Sequence, residues 1–478
     1  MSLHKPTPPA DAQPLYKKRE PIYPKLVSGN FRTFKFAFMA VALLVYYGLP
    51  WLRWDRGPNA PDQAVLFDFA GGRFYFGPIE IWPQEVYYIT GILILASLGL
   101  FLVTSLFGRV WCGYACPQTV WTDLYIAVER FFEGDRNKRI KLNRAPWSFN
   151  KLWRKVAKHA VWLIIAAATG GALVFYFHDA PSLVFSFFTG HADATAYVFV
   201  ALLTFTTYSL AGTMREQVCT YLCPWPRIQA ALTDEHALNV TYRWDRGEPR
   251  GPHKKSESWE GRGDCVDCNA CVTACPMGID IRNGAQLECI HCALCIDACD
   301  DIMRKVDRPT GLIAYDTDNN VERRAAGLPA LKFKLFRPRV IIYAVLIAAI
   351  SALMVFGLAT RSTFELNVLK DRAPAFVQLS DGRIQNGYTV KLVNKQAETR
   401  AIHFEVSGND DAEVMLVGEE DGVMDVEVEG EHVDRFRLII KIPEENVDGN
   451  DRLRIVAIDT ETGEQDVNLI PFSSPRRD

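Results

Sequence analysis

Eight cysteines fall into two successive runs, Cys265, Cys268, Cys271, Cys275 and Cys289, Cys292, Cys295, Cys299, each spaced C-x-x-C-x-x-C-x-x-x-C, with Pro276 closing the first. This is the bacterial two-cluster spacing, in which three neighbouring thiolates hold one 4Fe–4S cluster and the fourth reaches across to the other. The expected ligand sets are therefore Cys265, Cys268, Cys271 with Cys299, and Cys289, Cys292, Cys295 with Cys275. The chemistry such sets support is one-electron transfer. Zinc also draws cysteine clusters, but its structural sites favour two separated C-x-x-C pairs over a doubled four-cysteine run. Asp300 stands where a second proline is usual, a change that affects local geometry or potential without removing a ligand.

The other four of the twelve cysteines form an internal repeat. Trp111-Cys112-Gly113-Tyr114-Ala115-Cys116-Pro117 and Val218-Cys219-Thr220-Tyr221-Leu222-Cys223-Pro224 both read C-x-Tyr-x-C-Pro after an apolar stretch. A spacing of four puts two thiols on one face of a helix, and the proline can open the next helix. Two such pairs make a four-thiolate site, and three contents compete for it: Cu(I), which soft sulfur favours; a further iron–sulfur cluster, because C-x-x-x-C-Pro also ends a ferredoxin motif; or redox-active dithiols. Asp123, Glu129, Arg130, Arg215 and Glu216 lie nearby, and snorkelling or surface pairing explains them at least as well as catalysis. No catalytic side chain is singled out.

These motifs need membrane helices to position them. Five apolar stretches reach bilayer length, 34–52, 86–107, 159–178, 194–213 and 339–359, with Tyr87 and Tyr88 suited to a headgroup level. Residues 1–33 carry six prolines and little to bury, which predicts a disordered arm and no cleavable signal. Residues 118–134 have helical periodicity and a glycine stop at Gly134, predicting an amphipathic helix at the inner surface. Lysine and arginine number eleven in 108–158 and six in 1–33, against none in 179–193 and three in 53–85. That bias places the N-terminus, and hence 214–338, in the cytoplasm, with the tail outside. All twelve cysteines then fall on the reducing side.

The expected organisation is an arm (1–33), four transmembrane helices (34–213) bearing the motifs at 112–117 and 219–224, and a cytoplasmic domain (214–338) with the two-cluster motif at 265–299. A fifth helix (339–359) and an outer domain (360–478) complete it. The outer segment holds 14 basic and 25 acidic residues. Runs at 364–369, 388–393, 401–406, 413–417, 423–428, 435–442, 452–458 and 466–472 alternate β-branched and apolar residues between turns, predicting an immunoglobulin-like β-sandwich without cysteine or tryptophan. The fold class is thus a multi-domain membrane protein with about five helices, a two-cluster ferredoxin-like domain and a β-sandwich.

Among nine histidines only His159 and His178 fall within these spans, at opposite ends of one helix, which argues against bis-histidine haem. No glycine-rich phosphate loop precedes a helix, so electrons must come from a separate, unidentified donor. Nothing calls for nucleic acid, and self-association into a homo-oligomer stays open.

The blocks Trp111 through Asp123, Arg215 through Cys219 and Cys223 through Gln229, with the two-cluster loop and β-rich tail, resemble the FixG/RdxA/CcoG family over nearly the whole chain. The resemblance implies a bacterial inner-membrane accessory protein of cbb-type cytochrome c oxidase, an oxidoreductase that reduces Cu(II) to Cu(I) for the oxidase copper centre. Copper would then bind at or beside Cys112, Cys116, Cys219 and Cys223. Partners would be copper ions, a copper chaperone or exporter, and oxidase assembly factors. A noncatalytic scaffold or redox sensor, and a quinol-linked conduit, are the alternatives.

Overall fold

The computed structural model describes residues 21–57, 60–254, 257–396, 398–418, 422–447 and 452–475. The chain divides into two compact units, one spanning 1–51, 65–74 and 81–352 and the other 52–64, 75–80 and 353–478.

In the first unit, α1 (Asn30–Gly48) precedes a loop divided between the two units, which carries short strands β1 (Val65–Asp68), β2 (Arg73–Phe76) and β3 (Ile79–Ile81). Then come α2 (Tyr87–Phe107), the short α3 (Val110–Tyr114), α4 (Pro117–Glu133), α5 (Arg136–Arg144), α6 (Phe149–Val174), α7 (Ala180–Thr189) and α8 (Ala194–Thr207). The α8 helix widens into a π-turn over Tyr208–Met214, a second π-turn follows at Val218–Leu222, and α9 spans Trp225–Leu232. Among the described residues, five helical stretches are long and apolar enough to cross a bilayer: Asn30–Trp51, Pro83–Phe107, Phe149–Val174, Ala194–Met214 and Pro338–Ala359.

The third of these starts ten residues earlier than hydropathy suggests. Ser148 caps it by accepting the Lys151 N–H, and Lys151, Lys155 and Lys158 turn toward partners: Lys155 and Lys158 reach Glu133 at 2.9 and 3.1 Å, and Lys151 reaches the Ala145 carbonyl at 2.6 Å. Charges that a hydropathy window counts against a helix are here satisfied inside the protein.

The cysteine-rich domain is bracketed by a two-stranded antiparallel ribbon, β4 (Asn239–Tyr242) with β5 (Ile313–Asp316), in register Asn239 to Asp316. Between them lie α10 (Trp244–Gly247), α11 (Ala270–Ala274) and α12 (Leu294–Lys305); α13 (Asp318–Ala325) and the membrane-length α14 (Pro338–Ala359) follow. Its core joins Val240, Tyr242, Ile281, Ile296, Met303, Leu312 and Ile313 to the cysteines themselves.

The expectation of a disordered arm fails for residues 21–33; Pro6, Pro8, Pro9 and Pro14 lie outside the described residues. Residues 21–28 run without regular structure along the domain, and α1 starts at Asn30. The Lys25 N–H donates to Thr273 O at 2.8 Å, and the Leu26 N–H to Asp135 Oδ1 at 3.0 Å. Asp297, on α12 between Cys295 and Cys299, accepts the Phe31 and Arg32 N–H groups at 3.3 and 2.7 Å, capping α1 from another element. A Cβ on Gly29 would collide with that carboxylate. Proline-rich composition reports little apolar burial; it says nothing about backbone donors that find acceptors elsewhere.

The second unit is a sandwich of β6 (Phe364–Lys370), β7 (Val377–Gln378), β8 (Arg383–Asn394), β9 (Arg400–Ser407), β10 (Glu413–Leu416), β11 (Asp425–Val428), β12 (Val433–Pro443), β13 (Arg452–Asp459) and β14 (Gln465–Pro471). One sheet has the order β10-β12-β8-β6 with β7 paired to β8, and the other β11-β9-β13-β14. Strand β8 alternates buried and half-buried residues along most of its length, as a one-sided sheet requires. All eight expected strands are present, and among the described residues only the two-residue β7 is extra. Tyr388, fully buried, donates to Pro471 O at 3.0 Å and so ties the two sheets together.

Replacing Asp297 with Ala strips two N–H groups of their acceptor at a helix start, which costs about 1–2 kcal/mol. The expected result is a lower thermal midpoint for the detergent-purified protein, with Asp297→Asn closer to the parent; equal midpoints for Ala and parent would refute the cap.

Candidate metal centres

The two cysteine loops of the ferredoxin-like domain repeat the same backbone device. Asp267 and Asn269 in the first, and His291 and Ala293 at the matching positions of the second, have φ between 51° and 60°. These left-handed residues curl each C-x-x-C-x-x-C loop around a centre before α11 and α12 begin. One void is lined by Cys265, Cys268, Cys271 and Cys299, and another by Cys275, Cys289, Cys292 and Cys295, with Cys271 lining both. The structure thus groups the cysteines in the crossed sets that the spacing implies.

The donor set suits clusters. Among the described residues no three His, Cys, Asp or Glu side chains converge tightly enough for one metal ion. Four sulfurs standing apart around a void fit a cage several atoms across better than a tetrahedral ion with bonds of about 2.3 Å. Burial pushes the Cys275 thiol up to about 11 and Cys289 to about 12, with neighbouring thiols adding to it. Backbone N–H groups of Met277, Gly278 and Ile279 on Cys275, and of His291 on Cys289, oppose the rise and would favour bound thiolate.

The repeated pairs also share a geometry, though not the one-face helix of the simplest expectation. Cys112 sits in α3, whereas Cys116 is extended with ψ 127° and its N–H bonds to Trp111 O at 2.9 Å. Cys219 lies in the second π-turn, and Cys223 is extended with ψ 122° and its N–H on Val218 O at 2.8 Å. Proline disfavours the helical conformation in the residue before it, which explains both breaks. All four thiols are within electrostatic reach of one another: burial first, then Cys116, Cys219 and Cys223, push Cys112 up to about 12, and burial with Cys116 and Cys223 does the same to Cys219.

Two glutamines that spacing did not single out join the copies. Gln118 donates to Leu210 O and Arg215 O at 2.9 and 3.2 Å, and the buried Gln229 accepts the Cys112 S–H at 3.2 Å. Gln118 lies one residue beyond Pro117 and reaches the segment before the second copy, whereas Gln229 lies five residues beyond Pro224 and reaches Cys112 of the first, so the unequal offsets give no shared sequence signal.

The two cysteine systems touch. Cys112, Met277 and Val27 pack against Ile290, Cys292 and Leu294. Tyr114 donates to Cys292 O at 3.2 Å. A Cβ on Gly113 would lie 2.6 Å from Ile290 O and 3.0 Å from Cys292 Cα, so only glycine lets α3 seat on this turn. The Arg109 N–H donates to His291 Nδ1 at 2.9 Å; burial and the nearby guanidinium push that histidine down to about 3, leaving it neutral with its proton on Nε2.

The nearby charged residues are partnered. Asp123 binds Arg32 at 2.9 Å and Lys35 at 3.9 Å. Glu129 meets Arg139, Arg215 at 2.7 Å and Lys158 at 3.5 Å. Burial works against Glu129's charge, but Arg215, Arg139 and Lys158 outweigh it and hold the carboxyl below its ordinary range. The inward face of α4 is therefore acidic as well as apolar, and it collects bases from α1, α5 and α6.

Membrane-length helices carrying a two-cluster ferredoxin domain and an immunoglobulin-like tail define a membrane-bound iron–sulfur electron-transfer protein. Family models match as a 4Fe-4S dicluster domain over residues 214–318, a 4Fe-4S binding domain over 89–139 and the immunoglobulin-like fold at the C-terminus of FixG over 354–475. The nitrogen fixation protein FixG of Rhizobium meliloti (strain 1021) is 49% identical over 493 residues, 97% of this chain and 94% of that one. Protein RdxB of Cereibacter sphaeroides is 52% identical over 415 residues, 86% and 87% of the two chains. A FixG-related protein from Vibrio parahaemolyticus, known from its crystal structure, is 17% identical, covers 24% of this chain and 97% of its own, and has a TM-score of 0.21. The chain belongs to the FixG family.

Crossed ligation predicts which cluster each serine variant loses. Cys299→Ser should weaken the cluster of Cys265, Cys268 and Cys271, and Cys275→Ser that of Cys289, Cys292 and Cys295, each leaving about half the iron. Combining Cys299→Ser with Cys265→Ser should then cost no more iron than either alone; additive loss would mean uncrossed sets.

Proposed function

We propose that this protein passes single electrons from its ferredoxin domain to Cu(II) held at the interfacial cysteines, and releases Cu(I) for assembly of a cbb-type cytochrome c oxidase. The observation that carries this reading is the direct packing of Cys112 against Ile290 and Cys292. When bound, 4Fe–4S clusters supply one-electron storage at low potential. Copper is the substrate: one electron converts one Cu(II) to Cu(I), and an external donor supplies it.

Cys112, Cys116, Cys219 and Cys223 would bind copper as a soft sulfur set, which favours the reduced ion. Because burial holds Cys112 and Cys219 as thiols, copper binding displaces their protons. Gln229, hydrogen-bonded to Cys112, orients that sulfur. On the charge bias of the loops, the N-terminus and the ferredoxin domain face the cytoplasm and the β domain the periplasm, so Cu(I) is formed inside. A copper chaperone or exporter must then carry it onward, which leaves the β-sandwich to dock assembly partners.

A second reading has its own support. The 4Fe-4S binding model over 89–139 covers Cys112 and Cys116, and no three of the described donors crowd around a single ion. On that reading a third cluster occupies the four interfacial cysteines and copper meets it at the surface. A noncatalytic scaffold or redox sensor, or a quinol-linked conduit, would use the same clusters without copper turnover.

The test uses anaerobic full-length protein, reduced with dithionite and freed of excess reductant before Cu(II) is added. Cluster absorbance should recover in step with Cu(I), one electron per copper; clusters that stay reduced beside Cu(II) would hand the lead to the scaffold. The double variant Cys112→Ser with Cys116→Ser should lose copper binding and keep the ferredoxin iron, whereas loss of additional iron would place a cluster at the pairs.

A further inference from the structure

Arg109 lies between α2 and α3, 6% exposed, and it is unlike the other buried arginines of its unit. Arg32 pairs with Asp123, Arg139 with Glu129 and Arg337 with Asp234. Among the described residues no carboxylate lies within ion-pair distance of Arg109. Its guanidinium donates instead to three carbonyls: Leu287 O, Cys289 O at 3.4 Å and Pro226 O at 2.6 Å. These belong to the ferredoxin loop and to the segment just behind the second C-x-x-x-C-Pro. Its own backbone N–H holds His291, and Cys112 is three residues on.

A buried cation is costly unless something negative answers it. Carbonyl dipoles meet its hydrogen-bonding needs but leave its charge. Burial depresses Arg109, and the groups that act against this are, in order, Cys112, Cys289 and Glu288. Reciprocally, Arg109 lowers both thiols. Those thiols become thiolates when metal binds, and each arriving electron adds further negative charge.

We infer that Arg109 is a positioning residue of the electron path: it is the fixed counter-charge between the ferredoxin site at Cys289 and the interfacial site at Cys112, and it stabilises the reduced state of the site beside it. The inference rests on the electron-transfer reading and is independent of copper as acceptor. A fixed positive charge in a water-poor place favours the more negative redox state and raises its potential. The fork geometry of the guanidinium also pins both sites to one another.

The test is a redox titration of full-length Arg109→Gln and Arg109→Lys proteins, followed by electron paramagnetic resonance with no copper present. Arg109→Gln should make reduction of at least one cluster about tenfold less favourable, a shift of about 59 mV to more negative potential for a one-electron couple. Arg109→Lys keeps the charge without the fork and should stay near the parent. Glutamine protein with full iron and parental midpoints overturns the inference, and so do equal shifts in the two variants. If the glutamine variant holds no iron, lysine decides: full iron with parental midpoints upholds the counter-charge, while iron loss there too assigns Arg109 to folding alone and overturns it. Because copper never enters this titration, its outcome and that of the copper assay fail separately.

Discussion

The contact between α3 and the turn around Cys292 governs the rest of the first unit. Two backbones approach until a single methyl group would not fit, at Gly113 against Ile290 O and Cys292 Cα. At Gly108, with φ 58°, a Cβ would instead meet side chains, those of Asn239 and His291, the latter 2.8 Å away at Nδ1. Electron transfer between two sites demands a short, fixed and dry separation, and side chains are poor rulers because they change rotamer. Backbone against backbone, with no Cβ between, leaves the spacing to covalent geometry. The Tyr114 hydroxyl and the Arg109 fork then clamp the same turn from either side.

Such a clamp works only if the helix ends that bear it are themselves fixed, and the buried ion pairs on α4 do this. Asp123 ties α1, Glu129 ties α5, α6 and the segment after the first π-turn, and Glu133 ties α6. Compared with apolar packing, buried pairs add little net stability, because desolvation consumes most of the attraction. Their value here is register. A greasy face can slide by a turn along another, whereas a carboxylate that meets three bases from three elements has one position in which all are satisfied. The close approach at Gly113 tolerates no slide, so the acids of α4 and the glycine of α3 serve one requirement.

Much of this was legible in the sequence because its strongest signals are local. The cysteine spacings, the apolar stretches and the alternating strands of 360–478 each declare themselves within a dozen residues, and the helices, loops and β-sandwich follow them. What the sequence concealed was long-range. Lys151, Lys155 and Lys158 look like the end of a membrane span until the Ala145 carbonyl is placed beside the first and Glu133 and Glu129 beside the others. Residues 21–29 look like a free arm because their ties are backbone N–H groups with acceptors on Thr273, Asp135 and, at the helix start, Asp297. Gln229 and Arg109 carry no pattern of their own; their partners lie 117 residues or more away in sequence. The pairing of Cys112 with Cys219 could be proposed from the repeat, but its contact with Cys292 could not.

The ferredoxin-like domain has an unusual dependence on what it carries. Its core is counted partly in cysteines, with Cys265 and Cys271 buried among Val240, Tyr242, Ile281 and Leu312, and Cys289, Cys295 and Cys299 packed against them. A small domain with so little hydrocarbon of its own cannot supply much folding energy. Metal binding must make up the difference, since ligation free energy is folding free energy when the site exists only in the folded chain. The loop that contacts α3 is one of these cysteine loops, so the same event that loads the domain also firms the surface on which Gly113, Tyr114 and Arg109 rest. Loading and docking are therefore linked: the metal binding that completes the ferredoxin sites also firms the turn against which Gly113 and Tyr114 pack.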